Sequence, residues 1–409
     1  MLKLFNTLTG KKEPFRPIDK RCVGLYTCGP SVYGVPHIGN FRTYVAEDVL
    51  KRYLLYKGYK VNHVMNITDI EDKSVRSSNG DFKRMIEITR KNTEIFRHWR
   101  DSLRIMHPTH MPCASETVPE MVALIKTLMR KGYAYRADDG SIYYKISKFK
   151  KYGELSKRPI PKEAFSGRCV SKDDYFQREA GDFILWKALQ KSDGDVFYKT
   201  DIGYGRPGWN IECSAMSKKY LGNHFDIHAG GIDNVFSHHE NEIAQSEAAN
   251  GEKFVNYWFH PRHLMINGKK MSKSLGNVYT PGDLFRMGFT PRAIRYLYLS
   301  THYRKKLNFT FALLRSAEKT ICRCSHGGKS LSKCPDKCKN IDGGILAKKA
   351  LSEFESAMDD DLDTPRALEV FCCTSNRALE LSKKGGIAKK GAKELCDALA
   401  KMDSVLRIL

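Results

Sequence analysis

A strand, a loop, a helix and a second strand near the start of the chain constrain its fold more than any other feature. Residues 21–29 are a short apolar run that ends at a glycine, and a polar loop with further glycines follows it. Apolar residues spaced i, i+3 and i+4 then predict a helix over 41–57, and residues 59–65 have the character of a second strand. This βαβ order predicts a parallel sheet that binds its ligands at the carboxyl ends of the strands.

The rest of the chain divides by sequence character. Residues 111–200 alternate helix-like and strand-like segments, which predicts a connective insertion between two halves of a Rossmann-like domain, 1–110 and 201–260. A region with a lysine-rich loop follows at 261–310, and residues 311–409 have helical periodicity. The predicted fold class is α/β, with an inserted subdomain and an α-helical bundle domain after it.

The charge of the chain indicates a polyanionic partner. Lys and Arg number 69 against 46 Asp and Glu in 409 residues, a net charge of +23. This excess favours nucleic acid first and an anionic membrane second, although a lysine-rich proteome would also produce it. No apolar run reaches the roughly 20 residues of a membrane span, and the first residues lack the pattern of a signal peptide. We therefore expect a cytoplasmic protein without a membrane partner.

Twelve cysteines are too few for a disulfide-stabilised secreted domain in a chain of this length, which favours free thiols or metal ligands. Four of them lie close together in sequence: Cys322, Cys324, Cys334 and Cys338. They could hold a second, structural metal ion. Because the surrounding segment is rich in Lys, Ser and Gly, a flexible basic insert is the favoured interpretation.

A short motif, His37-Ile38-Gly39-Asn40, lies between the first strand and the first helix. The amino end of a helix presents free N–H groups and a positive dipole end, both of which suit phosphate. Gly39 allows close approach of the backbone, while His37 and Asn40 can donate hydrogen bonds to triphosphate oxygens. The motif therefore indicates a nucleotide site, although a glycine in such a loop often makes only a turn.

The lysine-rich loop at 269–277 is the second motif. Lys270 and Lys273 could close over the α-phosphate and the leaving pyrophosphate and supply positive charge where negative charge develops. A solvated lysine run is the ordinary alternative. Residues 270–274, however, are the complete Lys-Met-Ser-Lys-Ser signature, and with the motif at His37 they resemble the class I aminoacyl-tRNA synthetases.

A third constellation suits a metal ion. Cys28 ends the first strand and Cys213 lies in the segment 207–216. His238 and Glu242 are four residues apart on a predicted helix and share a face, whereas His239 is expected to point elsewhere. Two thiolates, an imidazole and a carboxylate fit Zn²⁺, although each residue taken singly is more often structural.

The segments around these four residues resemble the cysteinyl-tRNA synthetase family, and the resemblance covers nearly the whole chain. The matching segments are 26–33, 66–70, 182–187, 207–216, 225–233, 269–277 and 358–368. The resemblance implies the class I synthetase fold, ATP-dependent activation of L-cysteine to cysteinyl-adenylate, and transfer to tRNA(Cys). It also implies Mg²⁺ with ATP and one Zn²⁺ per chain that binds the substrate as a thiolate. An apolar pocket alone would separate cysteine from serine or alanine by only about 1–3 kcal/mol.

Site roles follow from the resemblance residue by residue. It implies catalytic roles for His37, Asn40, Lys270 and Lys273, and ATP contacts for His37, Gly39, Asn40 and Lys273. It implies a substrate pocket with Gly29, Thr68, Trp209 and Asp233, of which Asp233 would bind the α-amino group. The implied zinc ligands are Cys28, Cys213, His238 and Glu242.

The chain departs from the family pattern at a few positions, and none of them removes an implied metal ligand. Asn40 and Asn210 each stand where a histidine is usual. Family members also continue into a small module that reads the anticodon, and we expect that module to be absent after Leu409. Recognition of tRNA by a monomer would then rest on the acceptor stem and on lysines of the helical domain.

One alternative function shares most of these features. A tRNA-independent cysteine ligase of the type used in mycothiol synthesis resembles the family, keeps zinc and both ATP motifs, and lacks the anticodon module. A small-molecule ligase has no need of a net charge of +23, which favours the tRNA ligase.

Overall fold

A computed structural model describes residues 1–158, 169–170, 181–272, 275–331, 342–384 and 386–409. Its strands are β1 (Lys3–Asn6), β2 (Lys11–Pro14), β3 (Cys22–Thr27), β4 (Lys60–Met65), β5 (Ala134–Arg136), β6 (Ile142–Tyr144), β7 (Cys169–Val170), β8 (Asp182–Ala188), β9 (Tyr198–Thr200), β10 (Gly203–Pro207), β11 (Phe225–Ala229), β12 (Val255–Phe259), β13 (Leu264–Ile266), β14 (Lys269–Lys270) and β15 (Leu307–Phe309). Its α-helices are α1 (Ile38–Tyr56), α2 (Asp72–Ser78), α3 (Phe82–Ser102), α4 (Val118–Arg130), α5 (Trp209–Leu221), α6 (Glu240–Asn250), α7 (Pro281–Arg286), α8 (Pro291–Leu299), α9 (Phe311–Leu331), α10 (Gly343–Asp359), α11 (Thr364–Lys383) and α12 (Lys389–Leu406).

The predicted βαβ unit is present as β3, α1 and β4. Strands β3 and β4 pair in parallel from Cys22 opposite Lys60 to Thr27 opposite Met65. Strands β11 and β12 extend the parallel sheet on the other side, in the order β12-β11-β3-β4. All carboxyl ends of this sheet therefore lie at one edge, where the sequence predicts ligands.

Helix α1 begins earlier than predicted, at Ile38 instead of residue 41. The cause is its cap: the His37 ring Nδ1 accepts hydrogen bonds from the backbone N–H groups of Gly39 (3.1 Å) and Asn40 (3.3 Å). In return the Asn40 Oδ1 accepts from the His37 N–H at 3.0 Å. This reciprocal pair satisfies amide groups that the first turn of a helix leaves without partners.

Among the described residues, three further sheets accompany the parallel one, and the smallest of them pairs β1 with β2. Strands β5 to β10 form one sheet, in which β5-β6-β8-β10-β9 are neighbours in this order and pair antiparallel. Strand β7 lies off this path and pairs in parallel with β8. A small sheet of order β14-β13-β15 presents the start of the lysine-rich loop at its edge.

The C-terminal helices share a continuous hydrophobic core with the parallel sheet. Phe354, Phe371 and Met402 belong to the same buried cluster as Leu25 and Phe41.

A buried guanidinium reinforces the contact of these helices with the parallel sheet. The Arg295 side chain of α8 donates to Asp48 Oδ2 of α1 (2.5 Å) and to the Leu406 carbonyl of α12 (2.6 Å). The fold is that of an α/β domain followed by packed helices. Within the described ranges, no helix has the length and apolarity needed to cross a bilayer.

Candidate functional site

The candidate site lies at the carboxyl ends of the parallel strands. Cys28 directly follows β3, and its N–H donates to the carbonyl of Ala229 at the end of β11 (3.0 Å). The next residue is Gly29, whose N–H donates to Asn66 Oδ1 at 2.9 Å. A Cβ atom at Gly29 would lie 1.7 Å from the Asn66 carbonyl oxygen, so only glycine fits there. This close approach fixes the backbone that presents Cys28.

Three other elements bring the remaining predicted metal ligands to Cys28. Cys213 comes from α5, Glu242 from the first turn of α6, and His238 from a π-helical turn, Val235–His239, that precedes α6. One donor atom from each of the four side chains lies within 4.8 Å of all the others. His238 Nε2 is 3.2 Å from Glu242 Oε1, so these two residues share a helix face as predicted.

Neighbouring side chains orient the imidazole of His238. Its Nδ1 lies 3.0 Å from the acceptor Oδ1 of Asn210, which leaves Nε2 directed at the cluster. The Trp209 indole stacks on the same ring, with centroids 3.9 Å apart and planes at 19°. The departure from the family pattern at position 210 therefore supplies a hydrogen-bond acceptor to a predicted metal ligand.

The two thiols differ in acidity. Burial opposes ionisation of Cys213, but a hydrogen bond from Cys28 and the proximity of His238 lower the pKa of Cys213 to about 6. Burial, followed by the neighbouring Cys213, raises the pKa of Cys28. The thiol pair alone therefore favours a single negative charge, and a bound cation would be needed to hold both sulfurs as thiolates.

The prediction that His239 points elsewhere is wrong. Its Nε2 lies 3.2 Å from Cys28 Sγ and its Nδ1 lies 2.8 Å from His260 Nε2. The backbone kinks at Phe236, whose φ and ψ are not helical, and both adjacent imidazoles point inward after it. The signal that could have found His239 is its spacing of three residues from Glu242, since residues three apart are neighbours on a regular helix.

His228 was also missed, and it completes a second set of donor atoms. Its Nε2 lies 2.9 Å from Glu242 Oε2, and Cys28, His228, His239 and Glu242 form another group within 4.8 Å. The available signal was its place inside the segment 225–233, on the strand that neighbours β3. Cys28 and Glu242 belong to both sets of donor atoms.

The donor chemistry fits a borderline-soft metal ion such as zinc. Two thiols, imidazoles and a carboxylate converge in a buried space, and Glu242 Oε1 has no hydrogen-bond partner among the described residues. A buried oxygen without a hydrogen bond is costly unless something else binds it. The cluster therefore has the donor composition and the burial that a zinc site requires.

The predicted cysteine-pocket residues lie around this cluster. Thr68 follows β4 and donates its hydroxyl to Glu212 Oε2 at 2.9 Å, and Glu212 is the neighbour of Cys213 in α5. Burial raises the pKa of Glu212, and the nearby Cys213 raises it further. Asp233 lies half-exposed at the rim, 3.9 Å from His263 Nδ1.

The two nucleotide motifs face each other. A Cβ atom at Gly39 would lie 2.4 Å from the Met271 side chain, so the start of α1 contacts the lysine loop directly. Lys270 is exposed on the edge strand β14, and its carbonyl accepts from Asn277 Nδ2 at 3.2 Å. Lys273 lies outside the described residues, so its predicted role stays a prediction.

The predicted second cysteine group is only partly described. Cys322 is exposed on α9, and Cys324, two residues on, is buried. The Cys324 sulfur contacts Cys372 of α11. Cys334 and Cys338 lie outside the described residues.

Comparison with known families and proteins gives a consistent result. The family model described as "tRNA synthetases class I (C) catalytic domain" matches residues 14–319. The cysteine–tRNA ligase of Koribacter versatilis is 42% identical over 100% of this chain and 82% of its own length. That of Brachyspira hyodysenteriae is 49% identical over 90% of this chain and 78% of its own length.

Solved structures show the same fold at low sequence identity. Mycobacterium tuberculosis methionyl-tRNA synthetase in complex with methionyl-adenylate aligns with a TM-score of 0.66 and 14% identity, over 95% of this chain and 90% of its own. A ternary LeuRS–tRNA–LeuAMS complex from Agrobacterium radiobacter aligns with a TM-score of 0.67 and 12% identity, over 96% of this chain and 85% of the other.

Proposed function

The chain belongs to the cysteine–tRNA ligase family of class I aminoacyl-tRNA synthetases, and from this premise we propose how its residues divide the work. The enzyme is an AMP-forming ligase that joins cysteine to tRNA at the expense of ATP. The observation that carries our proposal for its specificity is the buried convergence of Cys28, Cys213, His238 and Glu242.

These four residues would hold one zinc ion per chain. When bound, zinc supplies a site for the substrate thiolate, a chemistry that serine and alanine lack. Asn210 and Trp209 hold the His238 ring at the angle seen in the structure. Among these four residues the Glu242 carboxylate is the ligand that would loosen most easily when the substrate sulfur binds, because zinc prefers thiolate and imidazole donors.

The pocket residues would orient the rest of the amino acid. The half-exposed Asp233 carboxylate would pair with the α-amino group. Thr68 is fixed by its hydrogen bond to Glu212 and would form part of the wall near the side chain, with Trp209 and Gly29. Such a wall positions the carboxylate of cysteine toward the nucleotide motifs.

The nucleotide motifs would act on ATP, accompanied by Mg²⁺. The amino end of α1, with His37, Gly39 and Asn40, would bind phosphate oxygens. Lys270 and Lys273 would stabilise the charge that develops on the α-phosphate and pyrophosphate. The contact of Gly39 with Met271 supports joint action of the two motifs.

We propose tRNA(Cys) as the acceptor and exposed lysines of the C-terminal helices as phosphate contacts. Exposed lysines of this part include Lys348, Lys349, Lys383, Lys384, Lys389, Lys390 and Lys393. The other predicted contacts, Lys329, Lys333, Lys337 and Lys339, have no described side chain. A cytoplasmic monomer stays a prediction.

The experiment that tests the function compares two acceptors. The full chain is incubated with ATP and labelled cysteine, and with either total tRNA or an amino sugar glycoside. We expect labelled aminoacyl-tRNA and no labelled amino sugar, with ATP–pyrophosphate exchange that depends on cysteine and not on serine. Transfer to the amino sugar alone would establish the tRNA-independent ligase, which the relatives named above do not favour.

A further inference from the structure

Two cysteines outside the candidate site face each other across two helices. Cys324 on α9 and Cys372 on α11 are 48 residues apart in sequence, yet their sulfurs are 3.5 Å apart. One turn after Cys372, the Ser375 hydroxyl donates to the Cys324 carbonyl at 2.8 Å. The sulfur contact is thus reinforced by a second link between the same two helices.

The environment of this pair favours a shared proton. The hydrogen bond between the two sulfurs lowers the pKa of Cys324, and burial only partly offsets this effect. The same hydrogen bond, together with burial, raises the pKa of Cys372. Tyr296 of α8 also forms a hydrogen bond with Cys372. The Cys324 sulfur therefore has thiolate character, and the proton that the two sulfurs share lies mainly on Cys372.

The two sulfurs differ in access. Cys324 is 1% exposed and belongs to the hydrophobic core, whereas Cys372 is partly exposed. An oxidant from solution therefore meets Cys372 first and finds the second thiol directly behind it. Oxidation at Cys372 requires the shared proton to lie on Cys324, because the pair favours the proton on Cys372, and Cys324 is then the adjacent resolving thiol.

We propose that Cys324 and Cys372 form a site of reversible oxidation, at which a small hydroperoxide such as hydrogen peroxide converts the two thiols into a disulfide between α9 and α11. A disulfide bond is about 2.05 Å long, so the sulfurs must approach by about 1.5 Å. Movement of this size is available to cysteine side chains without separating the helices.

The reaction balances with hydrogen peroxide as the oxidant. The shared proton moves to Cys324, and the Cys372 thiolate attacks one peroxide oxygen, which breaks the O–O bond, forms a sulfenic acid and releases hydroxide. The Cys324 sulfur then attacks the sulfenic sulfur, the S–O bond breaks, and water leaves with the Cys324 proton. The released hydroxide takes one proton from the solvent, so the thiolate–thiol pair loses two electrons and one hydrogen peroxide becomes two waters.

The disulfide bond would join two different helices, α9 and α11. Linking residues distant in sequence restricts the unfolded chain, so the oxidised protein should unfold at a higher temperature than the reduced protein. Because α9 and α11 both belong to the proposed tRNA-binding part, oxidation would change the rigidity of that part. This inference concerns the thiol pair and does not depend on the proposed function.

Peptide mapping tests the proposal directly. The full chain is treated with hydrogen peroxide, its remaining thiols are alkylated, and it is digested with trypsin without reduction. Cleavage after Arg323 and Lys329 isolates Cys324 in residues 324–329, and cleavage after Arg366 and Arg377 leaves Cys372 with Cys373. We expect these two peptides to be joined, and dithiothreitol to separate them.

Variants on α11 show which of its two adjacent cysteines, Cys372 or Cys373, forms the disulfide with Cys324. Cys373→Ser, an exposed neighbour one residue away, is the matched control and should keep the cross-link. Cys372→Ser should abolish it, leave residues 324–329 alkylated, and remove the rise in unfolding temperature on oxidation. A cross-link that persists in Cys372→Ser, or an alkylated 324–329 peptide in oxidised wild type, would overturn the proposal.

Discussion

We propose that the buried Cys/His/Glu cluster and the lysine loop carry out two parts of one reaction, and the two regions are built in opposite ways. In the cluster, hydrogen bonds and packing orient the ligands: Asn210 orients His238, and His228 contacts Glu242. In the loop, Lys270 is exposed on a two-residue edge strand that Asn277 holds through the backbone. One region is fixed by the protein interior, and the other presents its charge to solvent.

This difference follows from what each region must do. Distinguishing a thiol from a hydroxyl requires a rigid arrangement that exists before the substrate arrives. Stabilising charge on a leaving pyrophosphate requires groups that act once ATP is bound, and a loop at the edge of a sheet can close at that stage. Substitutions in the cluster should therefore affect binding of metal and cysteine, and those in the loop should affect the rate of the chemical step.

The largest effect is expected from Cys213→Ser. Loss of a thiolate should remove the metal and reduce cysteine-dependent ATP–pyrophosphate exchange by more than about 100-fold, since even partners of a metal ligand cost 10–100-fold when removed. Zinc content and exchange rate are measured together. Cys22→Ser is the matched control, because Cys22 lies at the opposite end of β3 from the cluster. Normal exchange in Cys213→Ser would contradict the proposed selection of cysteine by the metal.

Lys273→Ala, a substitution in the lysine loop, should have the second largest effect on activity. We expect kcat for adenylate formation to fall by about 10²–10³-fold, or ~2.7–4 kcal/mol, with little change in the KM for cysteine. Lys269→Ala, an exposed lysine of the same loop, should have a much smaller effect. If Lys273→Ala changed KM alone, Lys273 would bind the ground state, and the contrast between the two regions would disappear.

Asn210→Ala tests how rigid the buried cluster is. Without the acceptor at 3.0 Å from His238 Nδ1, the ring loses its orientation, and zinc affinity should fall by about 10–100-fold. Competition with a chromophoric chelator measures the affinity. Asn210→Asp keeps an oxygen at this position and should retain most of it. Asn223→Ala removes an exposed hydrogen bond of the same length, 3.0 Å, to Glu252, which involves no residue of the cluster, and should leave zinc affinity unchanged.

The sequence predicted those parts of the fold that depend on local patterns. The βαβ unit and the parallel sheet are confirmed, because apolar periodicity and the glycine after β3 indicate them directly. The start of α1 was placed three residues late, since the cap formed by the His37 ring is not visible in apolar spacing. Side-chain capping depends on rotamers, which hydrophobic periodicity does not report.

The sequence predicted the relative positions of two site residues that are only a few residues apart on one helix. His238 and Glu242 lie together as a four-residue helical spacing requires. The position of His239 was missed although it is three residues from Glu242, a spacing that also places two side chains on one helix face. The contact between His228 and Glu242 depends on how β11 packs against α6, and this packing is a property of the whole fold.

A smaller effect is expected from the helical lysines. Replacing Lys348 and Lys349 together by Gln should weaken tRNA binding by about tenfold and reduce the slope of log affinity against log salt by about one unit for each lost phosphate contact. Both side chains are exposed on α10. Pyrophosphate exchange without tRNA is the control and should not change. An unchanged salt slope would place the phosphate contacts elsewhere on the protein.

The smallest effect tests whether the buried region is optimised throughout. Glu47 lies on α1, is 1% exposed, and neither of its carboxylate oxygens has a hydrogen-bond partner among the described residues. Burial raises the pKa of Glu47 well above its ordinary value of 4.5. Replacing such a carboxyl by an apolar side chain of similar length, as in Glu47→Met, should stabilise the protein by about 1–3 kcal/mol.

The pH dependence of the stability gained by Glu47→Met shows whether the gain comes from removing a buried carboxyl or from better packing. Above pH 4.5 the unfolded chain releases the Glu47 proton while the folded chain retains it, so wild-type stability falls as the pH rises. The advantage of Glu47→Met in urea unfolding should therefore grow from about pH 4.5 upward, whereas Glu369→Met, an exposed position on α11, should change stability by less than about 0.5 kcal/mol. A destabilised Glu47→Met would mean that the carboxyl binds a partner in the folded enzyme.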